Sequence, residues 1–263
     1  LMGGEGGAFC SLVPLRDDVL VNGTVMALIT AGGLGFLVWE DLWRNGLHWK
    51  RWKLHTKLVL VTSAVLTFGG AALILILERG ATGADLTPGQ RVLTALFASV
   101  SARTAGFNTV DLAAQSDASK LVTILLMLVG GSPGSTAGGV KTTTVAAIVL
   151  FSAASFRGDP APTVFGRRLT EETRKKAGNV LFFNASLAIF AALVLCGRQG
   201  LGLVDVLFEV FSAIGTVGMS TGLTRSLTGV SVYLVALLMY LGRVGSVSFA
   251  VALLEKKAKP PVR

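Results

Sequence analysis

Two short stretches carry the residue types that could do chemistry. Thr104-Ala105-Gly106-Phe107-Asn108-Thr109 and Thr216-Val217-Gly218-Met219-Ser220-Thr221 share the pattern T-x-G-x-[NS]-T at a separation of about 112 residues. Neither holds a histidine, a cysteine or a carboxylate. What each offers is oxygen: backbone carbonyls, supplemented by hydroxyl or amide oxygens of Thr104, Asn108, Thr216 and Ser220. A central glycine admits the positive φ that turns successive carbonyls toward one axis. Carbonyls so arranged can replace the hydration shell of a cation. The expected chemistry is a filter for a permeating alkali ion, lined by Thr104, Ala105, Gly106, Phe107 and Asn108 with Thr216, Val217, Gly218, Met219 and Ser220. No transition metal is expected.

The elements that position these stretches repeat with them. Leu96-Phe97 and Ser101-Ala102 fall on Leu207-Phe208 and Ser212-Ala213 at about the same spacing, and Met127 and Gly130 fall on Met239 and Gly242. Each unit reads as outer helix, half-length helix, glycine loop, inner helix. The half-length apolar pieces, residues 92–100 and 204–213, are too short to cross a bilayer and read as re-entrant or interfacial helices. A half-helix that stops inside the membrane leaves its last carbonyls unsatisfied, which lipid penalises by several kcal/mol per group. A wet cation path satisfies them, and the negative C-terminal ends of the half-helices favour that sign of charge. Thr216-Val217-Gly218 also repeats the first three letters of the T-V-G-Y-G filter.

Composition agrees. The chain has 263 residues, 52% hydrophobic and only 15% charged, where soluble domains carry roughly 25% charge. This excludes disorder and argues against a soluble enzyme. Residues 20–39, 58–77, 180–196 with flanks and 230–254 read as spans, and 121–151 reads as a fifth that is broken by glycines. No cleavable signal peptide is read at the start. The net charge of +9 falls in clusters: Arg44, Lys50, Arg51, Lys53, Lys57; Arg157, Arg167, Arg168, Arg174, Lys175, Lys176; and Lys256, Lys257, Lys259, Arg263. The positive-inside rule places all three, with the C-terminus, in the cytoplasm of a multi-pass plasma (inner) membrane protein. That reading displaces nucleic acid as a partner in favour of the lipid bilayer. Trp43, Trp49 and Trp52, with His48 and His55, suit the interfacial belt. Two histidines and Cys10 and Cys196 support neither a hydrolase nor a metal or disulfide framework. The stretch Gly134 to Thr142 resembles a phosphate loop, but Val140 separates Gly139 from Lys141.

Two cations sit inside spans. Lys141 follows the run Gly130-Gly131-Ser132-Pro133-Gly134-Ser135-Thr136-Ala137-Gly138-Gly139, and Arg243 lies in the last span. Either in lipid costs at least about 2.5–3.5 kcal/mol, so both should face a cavity or a partner. One reading is a gate: Gly130, Gly131, Pro133, Gly134, Ser135, Thr136, Gly138 and Gly139 form an intramembrane loop across the path, with Lys141 and Arg243 beside it. The other is structural, with Lys141 snorkelling and Arg243 capping broken-helix carbonyls. Arg103 and Glu209 flank the two filter stretches and read as anchors, or as a brace and a cation attractor respectively.

These motifs, with Ser101-Ala102-Arg103 ahead of the first and Tyr240-Leu241-Gly242-Arg243-Val244-Gly245 near the end, resemble signatures of the Trk/Ktr/HKT family of potassium-translocating membrane subunits. The resemblance implies an all-α polytopic membrane protein of M1–P–M2 units (outer helix, pore half-helix, inner helix), four of which surround one pore, and potassium uptake down the electrochemical gradient. Residues 1–43 would end a second unit, 44–156 form a third and 157–263 a fourth with a basic tail. Gly6-Gly7-Ala8-Phe9 stands where a second filter would end, with Ala8 in place of the usual glycine, and the chain reads as a truncated form. The family implies a homodimer and a cytosolic nucleotide-binding regulatory ring, any nucleotide residing on that partner. A non-conducting scaffold or assembly subunit and a secondary transporter of another solute are the alternatives.

Overall fold

The computed structural model describes residues 11–159 and 162–245. Among the described residues, ten α-helices run in the order α1 (Val19–Leu34), α2 (Phe36–Asn45), α3 (Leu54–Leu77), α4 (Pro88–Ser101), α5 (Asp117–Leu128), α6 (Thr142–Phe156), α7 (Glu171–Gln199), α8 (Leu203–Ile214), α9 (Leu223–Ser226) and α10 (Val230–Val244). A two-strand antiparallel hairpin, β1 (Thr163–Val164) and β2 (Arg167–Arg168), lies between α6 and α7. Gly6-Gly7-Ala8-Phe9 and the third basic cluster lie outside the described residues, as does the end of the span read at 230–254.

Helices α3 and α7 are long and apolar enough to cross a membrane; 24 residues of α3 extend about 36 Å. Their outward residues are large and apolar, including Phe68, Leu73, Phe190 and Leu193, as lipid contact requires. Helix α7 begins at Glu171, so Arg174, Lys175 and Lys176 occupy its first turns rather than a connecting loop. The half-length helices are set by local signals. Thr87 and Gln90 form a reciprocal capping box ahead of α4 with Pro88 in its first turn.

Both half-helices are enclosed. Helix α4 packs chiefly on α3, and α8 on α5, α7 and α10. The matching phenylalanines of the repeat, Phe97 and Phe208, are both fully buried. One apolar core joins Ile74, Ala98, Met127 and Phe208 to Val217 and Met219 of the second glycine loop; another joins α7, α8 and α10.

The span read at 20–39 is a bent one, broken within the small residues at 31–36. The chain bends by 92° between α1 and α2, at Gly35 with φ +78°. The cause is the loop of residues 130–139: the Phe36 amide donates to Gly134 O at 3.1 Å, and Ser132 N donates to Gly33 O at 3.0 Å. A straight helix would forfeit both bonds. The first two basic clusters share one end of the molecule. Trp49 meets the hairpin's Phe165 edge-on at 5.8 Å, and Lys57 Nζ lies 5.8 and 5.5 Å from the two ring centroids.

Candidate ion pathway

In the last turn of each half-helix a serine ties down the loop that follows. The Ser101 carbonyl accepts from Ala105 N at 3.1 Å and Gly106 N at 3.4 Å, while its hydroxyl donates to Phe107 O at 2.5 Å. In the second copy, Ser212 O accepts from Val217 N at 2.9 Å and the Ser212 hydroxyl donates to Met219 O at 2.5 Å. The loops between are wound alike. Thr104 (+71°) and Gly106 (+82°) take positive φ, as do Thr216 (+53°) and Gly218 (+90°); Ala105 and Val217 do not. Alternation of hand brings successive carbonyls to one side, whereas an ordinary strand points them to opposite sides. A threonine held at positive φ costs about 1–3 kcal/mol and persists only where its surroundings over-determine it. Here the two serines do so.

The two loops touch. A Cβ built on Gly106 would lie 2.5 Å from Val217 O and 3.2 Å from Gly218 C. Among the described residues, no backbone amide donates to the carbonyls of Thr104, Ala105, Gly106, Thr216, Val217 or Gly218. Those of Phe107 and Met219 accept from the serine hydroxyls instead, which sets them apart from these six. Asn108 and Ser220 turn to bracing. The Asn108 side chain donates to Val110 O at 2.9 Å and its amide to Ser11 Oγ at 3.1 Å, while Ser220 Oγ donates to Glu209. A cavity of about 460 Å³ opens on the loops, lined by Gly106, Asn108, Asp111, Glu209, Gly218 and Ser220 among others.

On another side lies the glycine-rich loop. Its ends are tied by Gly130 N to Val140 O at 2.9 Å and Thr142 N to Gly131 O at 3.1 Å, with Val129 and Val140 bridged in parallel. A Cβ on Gly138 would strike the Thr216 side chain, and one on Gly139 would sit 3.4 Å from Gly215 Cα. The opposite flank, Ser132 to Gly134, rests on the α1–α2 bend, where Pro133 O and Ser132 Oγ would be within 2.9 Å of a Cβ on Gly35. Ser135 Oγ donates to Ser132 O at 2.7 Å. Both cations bind this loop: Lys141 Nζ donates to Ala137 O at 2.6 Å, and an Arg243 guanidinium nitrogen to Thr136 O at 2.8 Å. All ten expected gate residues thus converge at or beside one loop wedged between Thr216 and the α1–α2 bend.

Arg103 reaches back to α3, donating to Ser63 Oγ at 3.1 Å and Ser63 O at 3.4 Å. The buried Lys120 of α5 bonds Asp205 of α8 at 2.9 Å. Sequence reasoning gave Ser101 and Ser212 no role, although their alignment in the repeat was the available signal.

The fold defines a polytopic membrane protein built on helix, half-helix and glycine loop, helix units. The chain belongs to the TrkH family of cation transport proteins, whose match covers residues 52–259. It is 39% identical over 254 residues to the potassium/sodium uptake protein NtpJ of Enterococcus hirae, a match covering 94% of this chain and 55% of that one. It is 34% identical over 246 residues to the Ktr system potassium uptake protein B of Vibrio alginolyticus, covering 91% and 53%. The structure of the potassium transporter TrkH from Vibrio parahaemolyticus shares the fold with a TM-score of 0.74 at 17% identity, covering 94% of this chain and 54% of that one. The chain spans about half the length of the curated relatives it matches.

Proposed function

We propose that this chain supplies two M1–P–M2 units of a potassium uptake pathway, residues 44–156 and 157–263, with further units completing the ring. The observation that carries the proposal is the contact of Gly106 with the Val217-Gly218 backbone, which brings two carbonyl-bearing loops of alternating hand to one place. Coordination there replaces hydration water, and the membrane potential supplies about 2.3 kcal/mol per charge per 100 mV. The names of the relatives point to potassium, with sodium also printed for one of them.

The loop of residues 130–139 is the gate in this reading. It abuts Thr216, and Lys141 and Arg243 hold it through its own carbonyls, so capping and gating become one task. The shared basic end, supported by the Trp49–Phe165 contact, is assigned to the cytoplasm of the plasma membrane. A homodimer, with a cytosolic nucleotide-binding ring docked on that end, is the partner arrangement proposed; the "Ktr system" names of relatives favour accessory subunits. The test is growth and potassium uptake by cells lacking their own uptake systems, with the complete protein expressed. Rescue at low potassium is expected. Absence of uptake by protein shown to be in the membrane refutes the reading.

A further inference from the structure

Glu209 lies on α8, ahead of the second loop, and is only 4% exposed. Four hydrogen bonds reach its carboxylate from the stretch leaving that loop. Oε1 accepts from Ser220 Oγ at 2.6 Å, Thr221 N at 3.0 Å and Thr221 Oγ1 at 3.3 Å; Oε2 accepts from Thr224 Oγ1 at 2.5 Å. A carboxylate leaves water only where donors satisfy both oxygens, and charge-assisted bonds of this kind are the strong ones. The first repeat has no such brace: Ala98 stands at the matching position, and Asn108 is held instead by Ser11 and Leu12. The second loop is therefore pinned from two sides, by Ser212 at Met219 O and by Glu209 at the next two residues.

We propose that Glu209 is the positioning residue of the second loop: its carboxylate fixes the loop's exit, and so the spacing of the carbonyls at residues 216–218 that discriminate K⁺ from Na⁺. This rests on the potassium pathway proposed above. A carbonyl cage selects by its size and by the number and stiffness of its dipoles, and a loop freed at one end relaxes in both.

The experiment compares K⁺ and Na⁺ uptake by the complete transporter in liposomes for the unmutated protein, Glu209→Gln, Glu209→Asp and Thr224→Ala. Glu209→Gln keeps the shape but replaces one acceptor oxygen by a donor. It should lower the K⁺:Na⁺ uptake ratio on the order of tenfold, which is a loss of about 1.4 kcal/mol in the cage's discrimination between the two ions. Thr224→Ala should lower the ratio less, and Glu209→Asp should recover part of it. A Glu209→Gln protein with an unchanged ratio overturns the proposal. If Glu209→Gln does not accumulate, Thr224→Ala and Ser220→Ala decide: a changed ratio in either supports it, and unchanged ratios in both overturn it. An unmutated protein that takes up neither ion refutes the potassium pathway itself, an outcome separate from a selective transporter indifferent to Glu209.

Discussion

Replacing Gly106 by alanine tests the contact on which the pathway rests. Gly106 sits at φ +82°, where an L side chain costs about 1–2 kcal/mol. The new Cβ would lie 2.5 Å from Val217 O, whereas real Cβ atoms essentially never come within 3.0 Å of such a neighbour. The carbonyl must therefore retreat by about half an ångström, and it is one of the six that no backbone amide among the described residues engages. The backbone cost alone shifts the equilibrium against the native loop conformation roughly tenfold, since about 1.4 kcal/mol is a factor of ten. With the displaced oxygen added, K⁺ uptake should fall about 10- to 100-fold and its preference over Na⁺ should decline. Uptake is measured in liposomes and normalised to reconstituted protein, with Gly178→Ala as the control. That site is on α7 with nothing within 4 Å of an added Cβ, so uptake should hold and helix stability should rise by up to about 1 kcal/mol. Unchanged uptake and selectivity in Gly106→Ala would show that the two loops do not share an ion.

Adjacent glycines of α3 should behave oppositely: Gly70→Ala places a Cβ 2.6 Å from Ser99 Oγ and 2.7 Å from Leu126 Cδ1, while Gly69 has open space. Thermal melts should show Gly70→Ala destabilised by about 1–3 kcal/mol and Gly69→Ala neutral or stabilised; equal melting would contradict the packing. Glu78 caps the end of α3, where burial pushes its carboxyl up but hydrogen bonds from Thr82 and Ser116 outweigh that and hold it below its ordinary 4.5. A depressed acid stabilises the fold above its ordinary value and loses that contribution as pH falls through the lowered one. Glu78→Gln should therefore melt lower at neutral pH and respond less to acid below about pH 4.5, and identical acid limbs would remove the assignment. Deleting part of residues 134–139, in the complete transporter, should raise cation flux at equal protein level; equal or lower flux counts against a gate.

The architecture was largely legible because membrane folding is written locally. An apolar run either has the length to cross or does not, so residues 92–100 and 204–213 announced half-helices, and the interruption between 130 and 139 announced a broken span. Capping reinforced this, as Thr87, Pro88 and Gln90 set the start of α4. The repeat exposed the two glycine loops for a similar reason: the same local backbone problem had been solved twice. The bend at Gly35 was less legible. Residues 31–36 show small-residue weakness, but the bend follows from bonds to Ser132 and Gly134, about a hundred residues along the chain.

The sequence by itself determined that this is a membrane protein of repeated helix, half-helix, helix units, and it singled out the two glycine loops at residues 104–109 and 216–221. Only the tertiary structure decided that Gly106 meets Val217, that Lys141 and Arg243 bind the loop between them, and that Glu209 braces an exit rather than facing the cavity alone. The physical reason is range. Hydropathy and backbone conformation are properties of a few neighbouring residues, whereas the partner of a buried charge or of a turning carbonyl is chosen by which distant segment packing brings within about 3 Å.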